Sequence, residues 1–477
     1  MILIYSLTQL HLLKNYIKSK NTLINKPLLD INSLSEIRRV TIQLPIYNEL
    51  YVVEKLIDCI SKLDYPKKYL EIQILDDSDD ETLEIAEKKI NEVQAKGIDI
   101  IHIKRKTRIN FKAGALKEGL KVSKGEFIAI FDSDFLPDKN WLLKVLPYFD
   151  DPEIGVVQTR WLHINKNYSL LTKVQSFALD AHFTLEQIGR NFKNYFINFN
   201  GTAGIWRKKC IIDAGNWEGD TLTEDLDLSY RAQLKLWKFK YTEHIHTRCQ
   251  LPFKIGSIRS QQYRWNKGGA ENFQKTISNI FNSSKIDLMT KVHSFFHLLN
   301  STMFLFAFIV SFLSVPLLYV KNTWEVYDSF FKISGIFIIS TLIFLFNYWI
   351  LYKNSNGTGV FIFLKFLKDF LLFYTIAMGF SLNNSIAVIK GHLRVKSEFI
   401  RTPKFDFSKG DSDKNINKYV SSQKLTFIPL EGFMVVYFLF GIISSFTINP
   451  QGDYSLLAFH LILFVGYSFV FIKSVKN

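Results

Sequence analysis

Long apolar stretches without Asp, Glu, Lys or Arg restrict this 477-residue chain more than any other feature. Residues 295–320, 333–352, 432–448 and 454–472 are free of those four residue types. A helix of about 20 apolar residues crosses about 30 Å of hydrocarbon. Such a segment must satisfy its own backbone hydrogen bonds there, which a helix does. Residues 291–477 are therefore predicted to form a membrane region with about four spanning helices. Between the second and third stretches, residues 361–390 are interrupted by Lys365, Lys368 and Asp369 and then by Ser381, Asn383, Asn384 and Ser385. Charges at a bilayer centre are costly, so an interfacial helix is expected there. The following segment, 391–426, carries Arg394, Lys396, Arg401, Lys404, Lys409, Lys414, Lys418 and Lys424. Such a basic loop is expected on the cytosolic face.

Residues 1–37 form an amino-terminal segment whose first 18 residues are apolar with scattered polar groups. They lack a basic leader and a small-residue cleavage site, and their uncharged run is short for a span. An interfacial helix or the remnant of a longer span is expected. The net charge of +15 is spread along the chain and accompanies no nucleic-acid-binding motif, so nucleic acid is not an expected partner. The cysteines, Cys59, Cys210 and Cys249, are widely spaced with no CxxC pair, which argues against a disulfide framework or a zinc site.

Residues 38–290 have a different grammar. VTIQLPI, EIQILDD, IDIIHIK, EFIAIFDSD and IGVVQTRW have the composition of buried strands. Helical patterns separate them, as in ETLEIAEKKINEVQAKG, which Gly97 closes. Strands alternating with helices predict an α/β domain with a mainly parallel sheet. In such a sheet ligands bind at the carboxyl ends of the strands. No GxGxxG follows the first strand and no P-loop is present, which disfavours dinucleotide binding and P-loop phosphate chemistry.

Acidic motifs fall at those strand ends. Asp132 and Asp134 flank one serine after a buried strand, a pattern that suits a hard divalent cation shared with substrate phosphates. The same pattern also describes a solvated turn. Asp76-Asp77-Ser78 follows an earlier strand, where acids can bind ribose hydroxyls or a base, or where Ser78 or Asp79 can cap the next helix. Thr223-Glu224-Asp225 precedes a helix expected over 226–236. It is either a capping arrangement or a source of a general base that takes a proton from a sugar hydroxyl. Gln261-Gln262-Tyr263-Arg264-Trp265 supplies a forked cation for a diphosphate and an apolar face for a sugar ring, although a tryptophan is as readily a core residue.

In this order, Asp77, Asp132-Ser133-Asp134, Thr223-Glu224-Asp225 and Gln-Gln-Tyr-Arg-Trp resemble the processive family 2 glycosyltransferases of the cellulose synthase group. LPIYNE, ILDDSDD, FKAGALKEG, QTRW and FNGTAGIWR look closest to the cellulose-synthase-like mannan and glucomannan synthases. The resemblance implies a GT-A fold for 38–290 and Mg²⁺ or Mn²⁺ held by Asp132 and Asp134. It implies a nucleotide sugar, UDP-glucose or GDP-mannose, bound by Tyr47, Glu49, Asp77, Lys112 and Arg264. Asp225, with Glu224 beside it, would be the base, and Asn200, Gly201, Thr202, Gln261 and Trp265 would face the acceptor. Phe399, Thr402 and Lys404 resemble a gating loop, with Arg401 where the family usually has valine. The implied reaction is inverting hexosyl transfer to a growing β-linked polysaccharide, coupled to translocation across the cytoplasmic (inner) membrane. Membrane lipids and accessory export subunits are the further partners implied. The alternative is a glycolipid synthase that moves one sugar to a ceramide or diacylglycerol.

Overall fold

The computed structural model describes residues 1–20, 37–397, 401, 404 and 427–476. Phe399 and Thr402 lie outside the described residues. The α/β part is built on β1 (Val40–Ile46), β2 (Leu70–Asp76), β3 (Asp99–Lys104), β4 (Phe127–Ile130), β5 (Leu136–Pro137), β6 (Ile154–His163), β7 (Gly204–Arg207) and β8 (Lys238–Cys249). They form one eight-stranded sheet in the order β3-β2-β1-β4-β7-β6-β8-β5. The strands β3, β2, β1 and β4 run parallel, as do β6 and β8. The sheet is thus mainly parallel, as the alternation predicted, with β7 antiparallel to both neighbours and β5 antiparallel to β8.

Both sheet faces are covered, so the central strands β1 and β2 are buried almost throughout. Every residue of β2 is buried, and Pro45 alone in β1 is partly exposed. The polar residues inside these strands pair with each other. Gln43 donates to Gln73 at 3.0 Å across the β1–β2 step, and Thr41 donates to Glu71. Gly119, on the helix Phe111–Val122, lies against this glutamine pair, and a Cβ there would come within 2.7 Å of both side chains. The register sets Ile46 beside Asp76, so the chain leaves β2, β1 and β4 along one edge. That edge carries the acidic motifs.

The predicted cap differs in detail. The helix after β2 runs over Thr82–Gln94, and Asp80, not Ser78 or Asp79, accepts from its first N–H, that of Thr82. Ser78 and Asp79 are taken by Asn48 of the loop after β1. Gly97 has a positive φ of 74° beyond that helix, as a closing glycine requires.

Among the described residues, four helical segments are long and apolar enough to cross a membrane: Thr302–Thr323, Glu325–Asn356, Ile428–Thr447 and Leu457–Val475. They correspond to the four predicted stretches, but 295–298 end the preceding helix, Leu288–Leu298, which Asp287 caps. The single helix expected over 361–390 is two helices, Val360–Gly379 and Ser381–His392. Of the interrupting groups, Lys365 and Lys368 are exposed, whereas Asp369, Ser381, Asn383, Asn384 and Ser385 are buried in protein. Asp369 is buried and accepts from Lys173 of the α/β part at 2.6 Å, and Asn384 donates to Gln262 at 3.0 Å. The amino-terminal helix, Ile2–Ser19, likewise docks on protein. Leu12, Leu13 and Tyr16 are buried with Phe183, Ile188 and Leu351, and the Tyr5 hydroxyl donates to Asn300 at 2.6 Å.

One long helix, Ile255–Asn282, joins the two halves. Its Arg259 is buried and donates to Glu431 and Ser474, each on a different apolar helix. Removing one partner of a buried ion pair leaves an uncompensated charge and costs about 3–5 kcal/mol. Arg259→Leu is therefore expected to lower the thermal unfolding temperature of the detergent-solubilised protein strongly. The double variant with Glu431→Leu should recover part of that loss. A double variant no more stable than the single one would contradict this.

Candidate active site

The strand ends open into one cavity of about 220 Å³. Its wall brings together Tyr47 and Glu49 after β1, Asp77 after β2, Asp132 and Asp134 after β4, and Asn200 and Gly201 before β7. Glu224 and Asp225 complete it with Gln261, Arg264 and Trp265 of the long helix, and Lys112, Arg401 and Lys404. Thr202 is the described candidate residue that stands behind the wall. It is buried, and its hydroxyl accepts the Asp132 backbone N–H at 2.9 Å.

Cations match most of these acids. Lys112 Nζ lies 2.6 Å from Asp132 Oδ1 and donates to the Gly201 carbonyl at 2.9 Å. Lys404 Nζ lies 2.6 Å from Asp134 Oδ1. Arg401 grips both oxygens of Glu49. Arg105 does the same to Asp77. Burial pushes the Lys112 ammonium toward neutrality, but Asp132 and Glu224 outweigh it and raise its pKa. Burial would likewise raise Asp132, yet Lys112 and Lys404 hold it below the ordinary carboxylate value. Two carboxylates that already draw ammonium groups form a donor set suited to a hard divalent ion. Asp132 and Asp134 could hold one beside a diphosphate.

Asp77 is thus less open than its sequence position suggested, because Arg105 occupies its carboxylate. The same Arg105 donates to the Ile109 and Phe111 carbonyls. A Cβ at Gly114 would meet both the Arg105 guanidinium and the Ile109 carbonyl within 2.3 Å, so the glycine makes room for this clamp. Arg108 lies over the Tyr47 ring at 3.4 Å from its centroid, which forms a flat, cationic wall next to Asp77. Neither arginine was singled out from the sequence. Their signal was the basic run KRKTR at the end of β3, beside the acidic turn that ends β2.

Glu224 and Asp225 differ from the other acids. The helix begins at Glu224 and runs to Leu234, so both sit in its first turn, not ahead of it. Among the described residues, neither has a cation within ion-pair distance. Asp225 Oδ1 accepts the Leu226 N–H at 2.9 Å. Its Oδ2 faces the Gly201 Cα, where a Cβ would come within 3.0 Å. Gly201 has φ +78°, so glycine suits both the backbone and the close approach. Burial, and then the Glu224 charge, raise the Asp225 pKa above the usual range. Glu224 is raised by burial as well. Arg264 is partly buried in the same wall, close enough to Glu224, Asp132 and Asp225 to feel their charge. Trp265 is partly exposed at the rim.

If Asp225 is the base it works only when ionised, so its protonation would remove activity as pH falls. Because its pKa is raised, the acid limb of kcat/KM should sit well above the ordinary aspartate value of about 4. A pH profile with its acid midpoint near that ordinary value, or with no acid limb, would contradict the assignment.

Two family models match the chain. Glycosyl transferase family 2 matches residues 41–212, and glycosyl transferase family group 2 matches residues 127–352. Over 259 residues the chain is 41% identical to a probable glucomannan 4-beta-mannosyltransferase 11 of Oryza sativa subsp. japonica, covering 53% of this chain and 45% of that protein. Over 330 residues it is 37% identical to glucomannan 4-beta-mannosyltransferase 2 of Arabidopsis thaliana, covering 66% of this chain and 62% of that protein. The chain thus spans less than two thirds of either relative. A mannosyltransferase from Pyrobaculum calidifontis, solved with GDP-Man and Mn²⁺, shares the fold. Its TM-score is 0.50 at 16% identity, over 83% of this chain and 100% of that one. The mainly parallel sheet is thus of the GT-A type, and four apolar helices accompany it. The chain belongs to family 2 of the glycosyltransferases, among the cellulose-synthase-like members related to mannan synthases.

Proposed function

We propose that the protein transfers mannosyl units from GDP-mannose to a growing β-linked glycan, with inversion at the anomeric carbon. The observation that carries this reading is that one cavity holds a cation-binding acid pair, an acid pair without cation partners among the described residues, and an arginine-tryptophan pair. The mannosyl choice rests on the names of the rice and Arabidopsis relatives.

The residues divide the work by chemistry. Tyr47 under Arg108, with Asp77 beside them, offers the nucleotide a flat wall and hydrogen-bond acceptors. Arg264 and Lys112 face the diphosphate, where their fixed charge stabilises the leaving group. A Mg²⁺ or Mn²⁺ ion on Asp132 and Asp134 would add charge neutralisation for that leaving group. Trp265 offers a ring face to the acceptor sugar and Gln261 a hydrogen bond. Asp225 takes the proton of the acceptor hydroxyl as its oxygen attacks the anomeric carbon. The new glycosidic bond forms on the face opposite the breaking bond to the diphosphate oxygen, so an α-linked donor gives a β-linked product. The raised Asp225 pKa brings the base closer to neutral pH, where proton transfer is most effective.

Arg401 and Lys404 are supplied by the basic segment between the second and third apolar stretches. Their reach into the cavity supports placing that segment on the same side of the membrane as the catalytic part. We place both on the cytosolic side of the cytoplasmic membrane, where nucleotide sugars are available, with the acceptor end directed toward the apolar helices. The long helix supports this direction, since Gln261, Arg264 and Trp265 lie within two turns of the Arg259 anchor.

Membranes that contain the protein, supplied with labelled GDP-mannose and Mn²⁺, are expected to build a ladder of products that a β-mannanase degrades. UDP-glucose alone should support much less incorporation. A single organic-extractable glycolipid would replace the polymer reading by single transfer, and incorporation from UDP-glucose alone would overturn the donor.

A further inference from the structure

Asn200 lines the cavity next to Gly201, whose carbonyl holds Lys112 and whose Cα faces Asp225. Which end of its amide is committed to the protein follows from its neighbours. Gln187 Nε2 lies 3.2 Å from the backbone carbonyl of Asn198, an acceptor that cannot be reversed. That end of Gln187 is therefore its NH₂ donor. The same Nε2 lies 3.2 Å from Asn200 Oδ1, and Asn198 Nδ2 donates to that oxygen at 2.6 Å. Two donors thus hold the oxygen end, and Asn200 Nδ2 is left buried with no partner among the described residues. The Asn200 backbone is fixed too, because its N–H donates to Gln158 Oε1 at 2.9 Å. A buried donor without a partner at a substrate cavity calls for a ligand acceptor.

Gln187 reaches this position through an unusual backbone. It is fully buried and ends a π-helical turn, His182–Gln187, between the helices Leu170–Ala181 and Ile188–Asn191. Such turns insert one residue into a helix and recur at functional sites. Other residues of the turn hold it from outside the cavity. The Thr184 hydroxyl accepts from Arg160 at 2.7 Å, and Glu186 lies 3.0 Å from the His182 ring.

We propose that Gln187 is a positioning residue for the sugar acceptor. It locks the Asn200 amide so that Nδ2 donates to an acceptor-sugar oxygen near the hydroxyl whose proton goes to Asp225. A reversed amide would present an acceptor there, which would compete with Asp225 for the hydroxyl proton. This inference rests on the glycosyl-transfer reading given above.

A double-mutant cycle on the full-length protein tests it, using GDP-mannose, Mn²⁺ and a β-linked manno-oligosaccharide acceptor. Gln187→Met keeps the volume and removes the donor. It is expected to lower kcat/KM for the acceptor about tenfold while the Kd for GDP stays within about twofold, one bidirectional hydrogen-bond loss being of that order. In an Asn200→Ala background the same change should cost little more, because both act on one contact. Acceptor kcat/KM unchanged in Gln187→Met, equal losses in both backgrounds, or loss of GDP binding in Gln187→Met would each overturn the positioning role. A wild-type protein that transfers no mannosyl group would instead overturn the functional reading on which it rests.

Discussion

Charge pairing inside one cavity is the constraint on which the site depends. Taking carboxylates out of water is costly unless each finds a cation or hydrogen-bond donors. Here Asp77 has Arg105, Asp132 has Lys112, Asp134 has Lys404 and Glu49 has Arg401. Glu224 and Asp225 are the acids of this wall left without a direct cation among the described residues. That difference suits the paired acids to binding charge and the other two to moving a proton. Lys112 and Lys404 hold Asp132 below the ordinary carboxylate value, whereas burial raises Asp134 even beside Lys404, and burial together with the Glu224 charge raises Asp225 toward neutral pH.

The sheet makes this pairing geometrically available. The parallel order β2-β1-β4 places three acid-bearing turns side by side, and no antiparallel arrangement of those strands would do so. The long helix then joins this edge to the apolar helices. It carries Arg264 and Trp265 on the cavity and Arg259 against Glu431 and Ser474, while the helix Ser381–His392 contributes Asn384 to Gln262. The wall that carries Arg264 and Trp265 is therefore braced by the apolar helices, while Asn200 and Gly201 come from the turn before β7. Gly379 and Gly466 show how closely that half is packed, since a Cβ on either would meet the backbone of the facing helix within 2.3 Å.

Much of this was legible in the residues. Buried strands such as VTIQLPI and EIQILDD show through their composition, and acids just after them identify the binding edge without any knowledge of contacts. Glu224 and Asp225 were legible as a pair, but their lack of cation partners was not, since it depends on which lysine reaches which acid in space. Arg105 and Arg108 were hidden because a basic run usually marks a solvated turn, and only the β2–β3 pairing brings it onto Asp77 and Tyr47. The π-helical turn at Gln187 left no periodicity signal, because one inserted residue shifts a short helical pattern without breaking it. Of the charges in 361–390 that suggested a membrane surface, Lys365 and Lys368 are exposed, whereas Asp369 finds Lys173 on the α/β part. Partners far apart in sequence decide such cases.

The measurement that bears most directly on the central claim is the Asp225→Asn variant, with nucleotide binding and sugar transfer measured on the same preparation. The substitution keeps the shape of the side chain and removes its ability to take a proton. If the unpaired acid is the base, GDP affinity stays within about twofold while transfer falls by about two to four orders of magnitude, the usual range for loss of a general base. Transfer at the wild-type rate, or loss of nucleotide binding in step with transfer, would contradict the account.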